Sequence, residues 1–168
     1  MKLTIVIFFL IELLVVSYLD IKYKKISNYW ILLNLILVIL LYLFLRDTYV
    51  FDWKIFIYPF SFLVIGYVLF AINLMGAGDT KFLFSFYLML PLEIHDEYFT
   101  NLLVSTIFIS ILNLLYRAYN SRVSIYSAYV TRNYKDVMRT MFGKKMPYAP
   151  VIMIAWVAFI LDYIYDVY

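Results

Sequence analysis

The chain has 168 residues, 66% of them hydrophobic and 15% charged, with a formal net charge of +3. A soluble domain keeps roughly half its residues apolar, so the excess points to lipid as the solvent. The absence of cysteine and the single histidine, His95, exclude disulfides, a thiol nucleophile, a cysteine zinc site and a histidine metal cluster.

Apolar runs follow one another at about residues 3–19, 29–45, 55–74, 82–94, 99–116 and 147–164. A membrane-crossing helix takes about 20 apolar residues. The expectation is therefore an all-α, polytopic membrane protein of about six transmembrane helices, forming a single domain over 1–168. The first run follows Met1-Lys2 and could pass for a signal peptide, but Glu12 interrupts it and no small-residue cleavage site follows. It is expected to be a retained first helix. The fourth run is short and carries Pro91, so its far end is the least defined boundary.

Charge placement orients the runs. With the N-terminus outside, segments 20–28, 75–81 and 117–146 lie inside and hold 11 of the 14 basic residues. The outer segments keep Lys2, Arg46 and Lys54, and they hold the acids Asp47, Asp52, Glu93, Asp96, Glu97, Asp162 and Asp166. Cytoplasmic loops carry the excess of Lys and Arg, so both termini are expected outside. In the long cytoplasmic loop 117–146, Val130, Tyr134, Val137, Met138 and Met141 share one helical face, opposite Arg132, Lys135 and Arg139. That pattern predicts a basic amphipathic helix on the inner leaflet, with membrane lipid as its partner. The alternative is an ordinary loop that fixes topology.

Two inner segments carry an acid amid positive charge. Asp20 lies in Leu19-Asp20-Ile21-Lys22-Tyr23-Lys24-Lys25-Ile26-Ser27-Asn28, and Asp79 in Met75-Gly76-Ala77-Gly78-Asp79-Thr80-Lys81. Both fall at a helix end, on the same side and at similar depth. Two carboxylates held within a few ångströms share one proton. The ionised member can then take a proton from water while the other donates to a peptide carbonyl. Gly76 and Gly78 would let the backbone turn tightly and a substrate strand approach. The structural alternatives are a cap or lysine partner for Asp20 and a common turn for the glycines, but membrane-embedded acids are costly and tend to be functional.

These segments resemble those of the type IV prepilin peptidases, including the archaeal preflagellin peptidases and the short forms that serve Tad-type pili. Asp20, Lys24, Ile26 and Asn28 match the family pattern D-x-x-x-K/R-x-I-P-N, with Ser27 in place of the usual proline. Gly76, Gly78, Asp79 and Lys81 match G-x-G-D-x-K. A third similarity is the turn Met146-Pro147-Tyr148-Ala149-Pro150 before the last helix. The resemblance implies a transmembrane peptidase domain over the whole chain, with Asp20 and Asp79 as its catalytic pair. It implies removal of a basic leader from prepilin-like or preflagellin-like substrates at the cytoplasmic face of the plasma membrane. Lys24, Asn28, Gly76, Gly78 and Lys81 would bind substrate or support the pair. No cofactor, metal or nucleic acid is expected. Longer bacterial members carry a cysteine-rich insert and also N-methylate the product; with no cysteine and little room between its first two helices, this chain leaves that second activity unsupported.

Each remaining polar residue has a plain alternative. Lys81 could be a positive-inside lysine, and Asn28 an N-cap. Glu12, about 12 Å along the helix from Asp20, is expected to be neutral and bonded to a neighbouring helix, with a proton path as the other reading. His95 is expected to be solvated on the outer face. Trp30, Trp53, Tyr58 and Tyr148 are expected to be interfacial anchors. The competing functions are a proton- or cation-coupled transporter and a non-catalytic scaffold of a pilus or secretion assembly, although no internal repeat supports the transporter.

The charge segregation makes a prediction about topology. With Tyr168→Cys and Ser127→Cys variants, a membrane-impermeant maleimide should label position 168 in intact cells and position 127 only after permeabilisation. Labelling of position 168 from the cytosolic side alone would overturn the orientation.

Overall fold

The computed structural model describes residues 3–71, 75–122, 130–131, 135 and 147–167. Six α-helices account for most of them: α1 over Leu3–Tyr23, α2 over Asn28–Phe44, α3 over Ile57–Ala71, α4 over Ala77–Met89, α5 over His95–Asn120 and α6 over Ala149–Val167. Short 3-10 turns at Trp53–Phe56 and Leu92–Ile94 lead into α3 and α5. No strand occurs among the described residues.

Local chemistry sets most of the boundaries. Lys24 closes α1 in the left-handed region at φ 51°, and its N–H donates to the Asp20 carbonyl at 2.7 Å. The Ser27 hydroxyl caps α2 by accepting the Tyr29 N–H at 3.3 Å. Asp52 does the same for the turn before α3, accepting from the Lys54 N–H at 3.0 Å. Pro91 cannot continue α4, which stops at Met89, well short of the end at 94 that hydropathy suggests. Conversely, α4 starts at Ala77 and α5 at His95, each four or five residues ahead of its apolar run: Asp79 caps the first by accepting the Gly76 N–H, and the turn Leu92–Ile94 leads directly into the second. The expected amphipathic helix of the 117–146 loop falls, apart from 117–122, 130–131 and 135, outside the described residues.

The helices pack around α4. Nine of its 13 residues are buried, and α2 and α3 flank it. A second layer sets α6 between α1 and α5. An aromatic cluster joins the layers. Phe86 of α4 meets Phe9 of α1 at 5.6 Å, Tyr98 of α5 at 5.9 Å and Trp156 of α6 at 6.0 Å between ring centroids. These separations and their tilted or edge-on geometries are the favourable ones for aromatic pairs.

The outer surface is apolar. On α3, Ile57, Val64 and Tyr67 are exposed; on α5, Val104, Ile107 and Phe108 are. Three helical stretches, Thr4–Tyr23, Trp53–Ala71 and Leu92–Asn120, are long and apolar enough to cross a membrane, and the apolar helices Asn28–Phe44 and Ala149–Tyr165 are shorter. An exposed surface of this kind suits lipid and not water. The chain is an all-helical, polytopic membrane protein.

Two aromatic expectations change. His95 is not solvated: it is 1% exposed, with Nε2 3.2 Å from the Leu90 carbonyl and its ring edge-on to Tyr58 and Tyr87. The end of α4 folds back over it, which neighbouring acids in the sequence do not reveal. Tyr58 is more than an anchor, since its hydroxyl donates to the Asp96 carboxylate and ties the start of α3 to that of α5.

Close approach of α3 to α4 depends on Gly66. A Cβ there would overlap the Thr80 side chain, lying 2.9 Å from its Cβ. Small residues are what let membrane helices approach. Gly66→Leu should therefore lower stability by about 1–3 kcal/mol, read as a lower thermal midpoint in detergent. Thr80→Ala should recover part of the loss.

Candidate active site

Asp20 occupies the last turn of α1 and is 2% exposed. Its Oδ2 accepts the Ala149 N–H at 3.1 Å, and the Tyr148 amide is a second backbone donor to the same carboxyl. The first residues of α6 thus offer their otherwise unpaired N–H groups to an acid on α1, the usual way an anion is held at a helix start.

Asp79 lies in the first turn of α4 and is 7% exposed. Its Oδ2 accepts the Gly76 N–H at 3.0 Å, so the carboxylate caps its own helix. The glycines around it serve space, not a special backbone angle. Gly76 has φ −81°, which any residue can adopt, but a Cβ would lie 2.8 Å from Asp79 Oδ2. At Gly78 a Cβ would come 3.1 Å from the Ile26 carbonyl oxygen. The loop between α1 and α2 therefore rests directly on the start of α4, and the two acidic segments share one end of the bundle. The sequence expectation of a tight glycine turn is corrected to this close backbone packing.

Tyr148 lies beside Asp20. Its backbone serves Asp20, while its hydroxyl lies 2.8 Å from Thr106 Oγ1 of α5. Burial raises its phenol above the ordinary value, the Thr106 hydroxyl pulls it partly back, and the charge of Asp79 raises it again. It is thus a neutral hydrogen-bonding group at neutral pH, and not the interfacial anchor expected. Proline spacing singled out the Pro147-Tyr148-Ala149-Pro150 turn, but nothing in the sequence connects it with Asp20, 129 positions away.

A cavity of about 300 Å³ opens beside Asp79, lined also by Lys24, Lys25, Ile26, Asn28, Gly76, Gly78 and Lys81. Six of the seven candidate residues meet there; Asp20 is not in its lining and is bonded to the start of α6. Next to it runs a larger, mostly apolar groove of about 1040 Å³, walled by Leu19, Tyr23, Ile26, Tyr29 and Trp30. Among the described residues no three His, Asp or Glu side chains gather where a metal could be held.

A helical membrane bundle with two buried carboxylates at one end, one of them on a cation-rimmed cavity, defines a class of intramembrane protein with acid–base capacity. The family model of the type IV leader peptidase family matches residues 7–117, and the chain belongs to that family. It is a peptidase, and the family processes prepilin-type substrates. No curated protein and no solved structure matches the chain.

The Tyr148–Thr106 contact can be tested. Tyr148→Phe and Thr106→Val should each cost about 1 kcal/mol in detergent unfolding. The double variant should cost less than the sum, because both remove one shared bond. Full additivity would mean the two hydroxyls act separately.

Proposed function

We propose that the protein is an intramembrane aspartyl endopeptidase that removes the basic leader of a prepilin-like or preflagellin-like substrate at the cytoplasmic membrane face, with Asp20 and Asp79 as the catalytic pair. The observation that carries this reading is the burial of both carboxylates at one end of the bundle, with the Tyr148–Ala149 segment bonded to Asp20. An amide hydrolase needs a base for water and an acid for the carbonyl. In this scheme the ionised aspartate takes a proton from water as the water oxygen attacks the scissile carbonyl carbon. The protonated partner donates to the carbonyl oxygen. Collapse of the tetrahedral intermediate breaks the C–N bond, and the departing amine takes up a proton from the pair. The two acids would titrate as a unit.

The surroundings support this assignment. Lys24, Lys81 and Asn28 ring the cavity beside Asp79 and suit contacts to a substrate backbone. The apolar groove alongside suits the hydrophobic segment that follows a leader. With both termini outside, the cavity would open to the cytoplasm. Neither a thiol nor a serine–histidine mechanism has its parts, because the chain has no cysteine and His95 is engaged with Leu90 at the far end of α4.

Asp20→Asn and Asp79→Asn should each lower conversion of a co-expressed prepilin by at least about 100-fold, at unchanged membrane levels. Wild-type conversion by either variant would refute the pair. A chelator should leave the rate unchanged.

A further inference from the structure

A short connection makes two consecutive helices antiparallel neighbours that pack on each other. Only residues 24–27 join α1 to α2, yet α1 packs along α6 and α2 along α4. Where the two part, the groove of about 1040 Å³ lies open. Each helix gives it one stripe of side chains. Val16, Leu19 and Tyr23 follow at i, i+3 and i+7 on α1, and Asn28 and Leu32 at i and i+4 on α2. The groove thus runs along the helix axes for about 10 Å. Val16 is 1% exposed, whereas Tyr29 and Leu32 are 82% and 57% exposed. Its floor is inside the bundle, and its mouth faces lipid.

The lining changes along this length. Val16, Leu19 and Leu32 are apolar, while Lys25, Ser27 and Asn28 make the other end polar. Lys25, Ile26 and Asn28 also line the cavity beside Asp79, so groove and cavity meet across the α1–α2 loop. That loop is held on both sides. The Lys24 N–H donates to the Asp20 carbonyl at 2.7 Å, and the Ile26 carbonyl rests on Gly78. Ile26, 4% exposed, is the sill between the two spaces.

We propose that the gap between α1 and α2 is a lateral entrance, where an apolar helical segment of the substrate docks from the bilayer on Val16, Leu19 and Leu32 while the peptide preceding it crosses Ile26 to Asp79. The inference rests on the peptidase reading, and it adds where the substrate enters and which two helices receive it. Lipid competes for the same apolar wall, and an apolar segment has no hydrophobic drive to leave lipid for protein. The polar end makes the difference. A peptide carries an N–H and a C=O at every residue, and the lysine and asparagine side chains around the sill can bond to them. An acyl chain has nothing to offer there.

Photo-crosslinking tests the contact directly. A benzoylphenylalanine replaces Leu19 or Leu32 at the groove, or Val64 of α3 or Val104 of α5, which are exposed on other faces. The probe is a synthetic peptide with a basic leader followed by about 20 apolar residues, in vesicles that hold the protein. The Asp20→Asn/Asp79→Asn chain is used so that the peptide stays whole. Positions 19 and 32 should capture the apolar part of the peptide, and positions 64 and 104 should not. Equal capture at all four positions, or none at 19 and 32, would overturn the entrance. Adducts with lipid alone at 19 and 32 would make the groove a lipid seat and overturn it too. In the otherwise wild-type chain, Leu32→Trp fills the groove from an exposed position. It should raise KM for the peptide about fivefold or more with kcat near wild type, while Val104→Trp should change neither. An unchanged KM in Leu32→Trp would refute docking on that wall. Cleavage of the peptide by the aspartate variants would overturn the catalytic pair, and the capture pattern would still decide the entrance.

Discussion

The bond from the Ala149 N–H to the Asp20 carboxyl holds the rest of the site in place. It joins residues 129 positions apart and brings the start of the last helix against the end of the first. Inside a membrane a carboxyl has no water to fall back on, and an exposed helix start has the same deficit in N–H donors. Each deficit answers the other. Tyr148 is carried into position by the same junction, so its hydroxyl reaches α5 through Thr106. The apolar packing of α6 on α1 and α5 supplies the area, but that packing alone would tolerate sliding; the directional bond selects one register.

A second constraint is space around α4. The helix is surrounded, and two of its contacts exist only because a neighbouring position lacks a side chain: Gly66 receives Thr80, and Gly78 receives the Ile26 carbonyl. The first sets how closely α3 lies, and the second lets the α1–α2 loop lie on the start of α4. The cavity beside Asp79 lies where that loop meets the start of α4, and its cationic rim combines Lys24 and Lys25 with Lys81 of α4.

Much of this was legible in the sequence because hydropathy and charge are local quantities. Lipid-length apolar runs mark helices, and Gly-x-Gly-Asp marks a crowded helix start. The boundaries of α4 and α5 were less legible, because both helices begin in polar residues that hydropathy scores as loop. His95 was misjudged for a related reason: acidic neighbours in sequence suggested solvent, while Tyr87 from the last turns of α4 and Tyr58, 37 positions away, enclose it. The roles of Tyr148 and Ala149 were hidden because backbone N–H groups leave no mark in the sequence.

The shortness of α4 has a consequence for the bilayer itself. Thirteen residues extend about 20 Å, against a hydrocarbon layer of about 30 Å. The other helices shield α4 from lipid, so the mismatch is not relieved by thinning or by tilt of α4 alone. It is taken up inside the protein, where the turn Leu92–Ile94 continues the chain beyond α4 with Leu90 and Ile94 buried. The polar first turn of α4 is thereby kept from lipid by its neighbours, whatever the thickness of the bilayer around them.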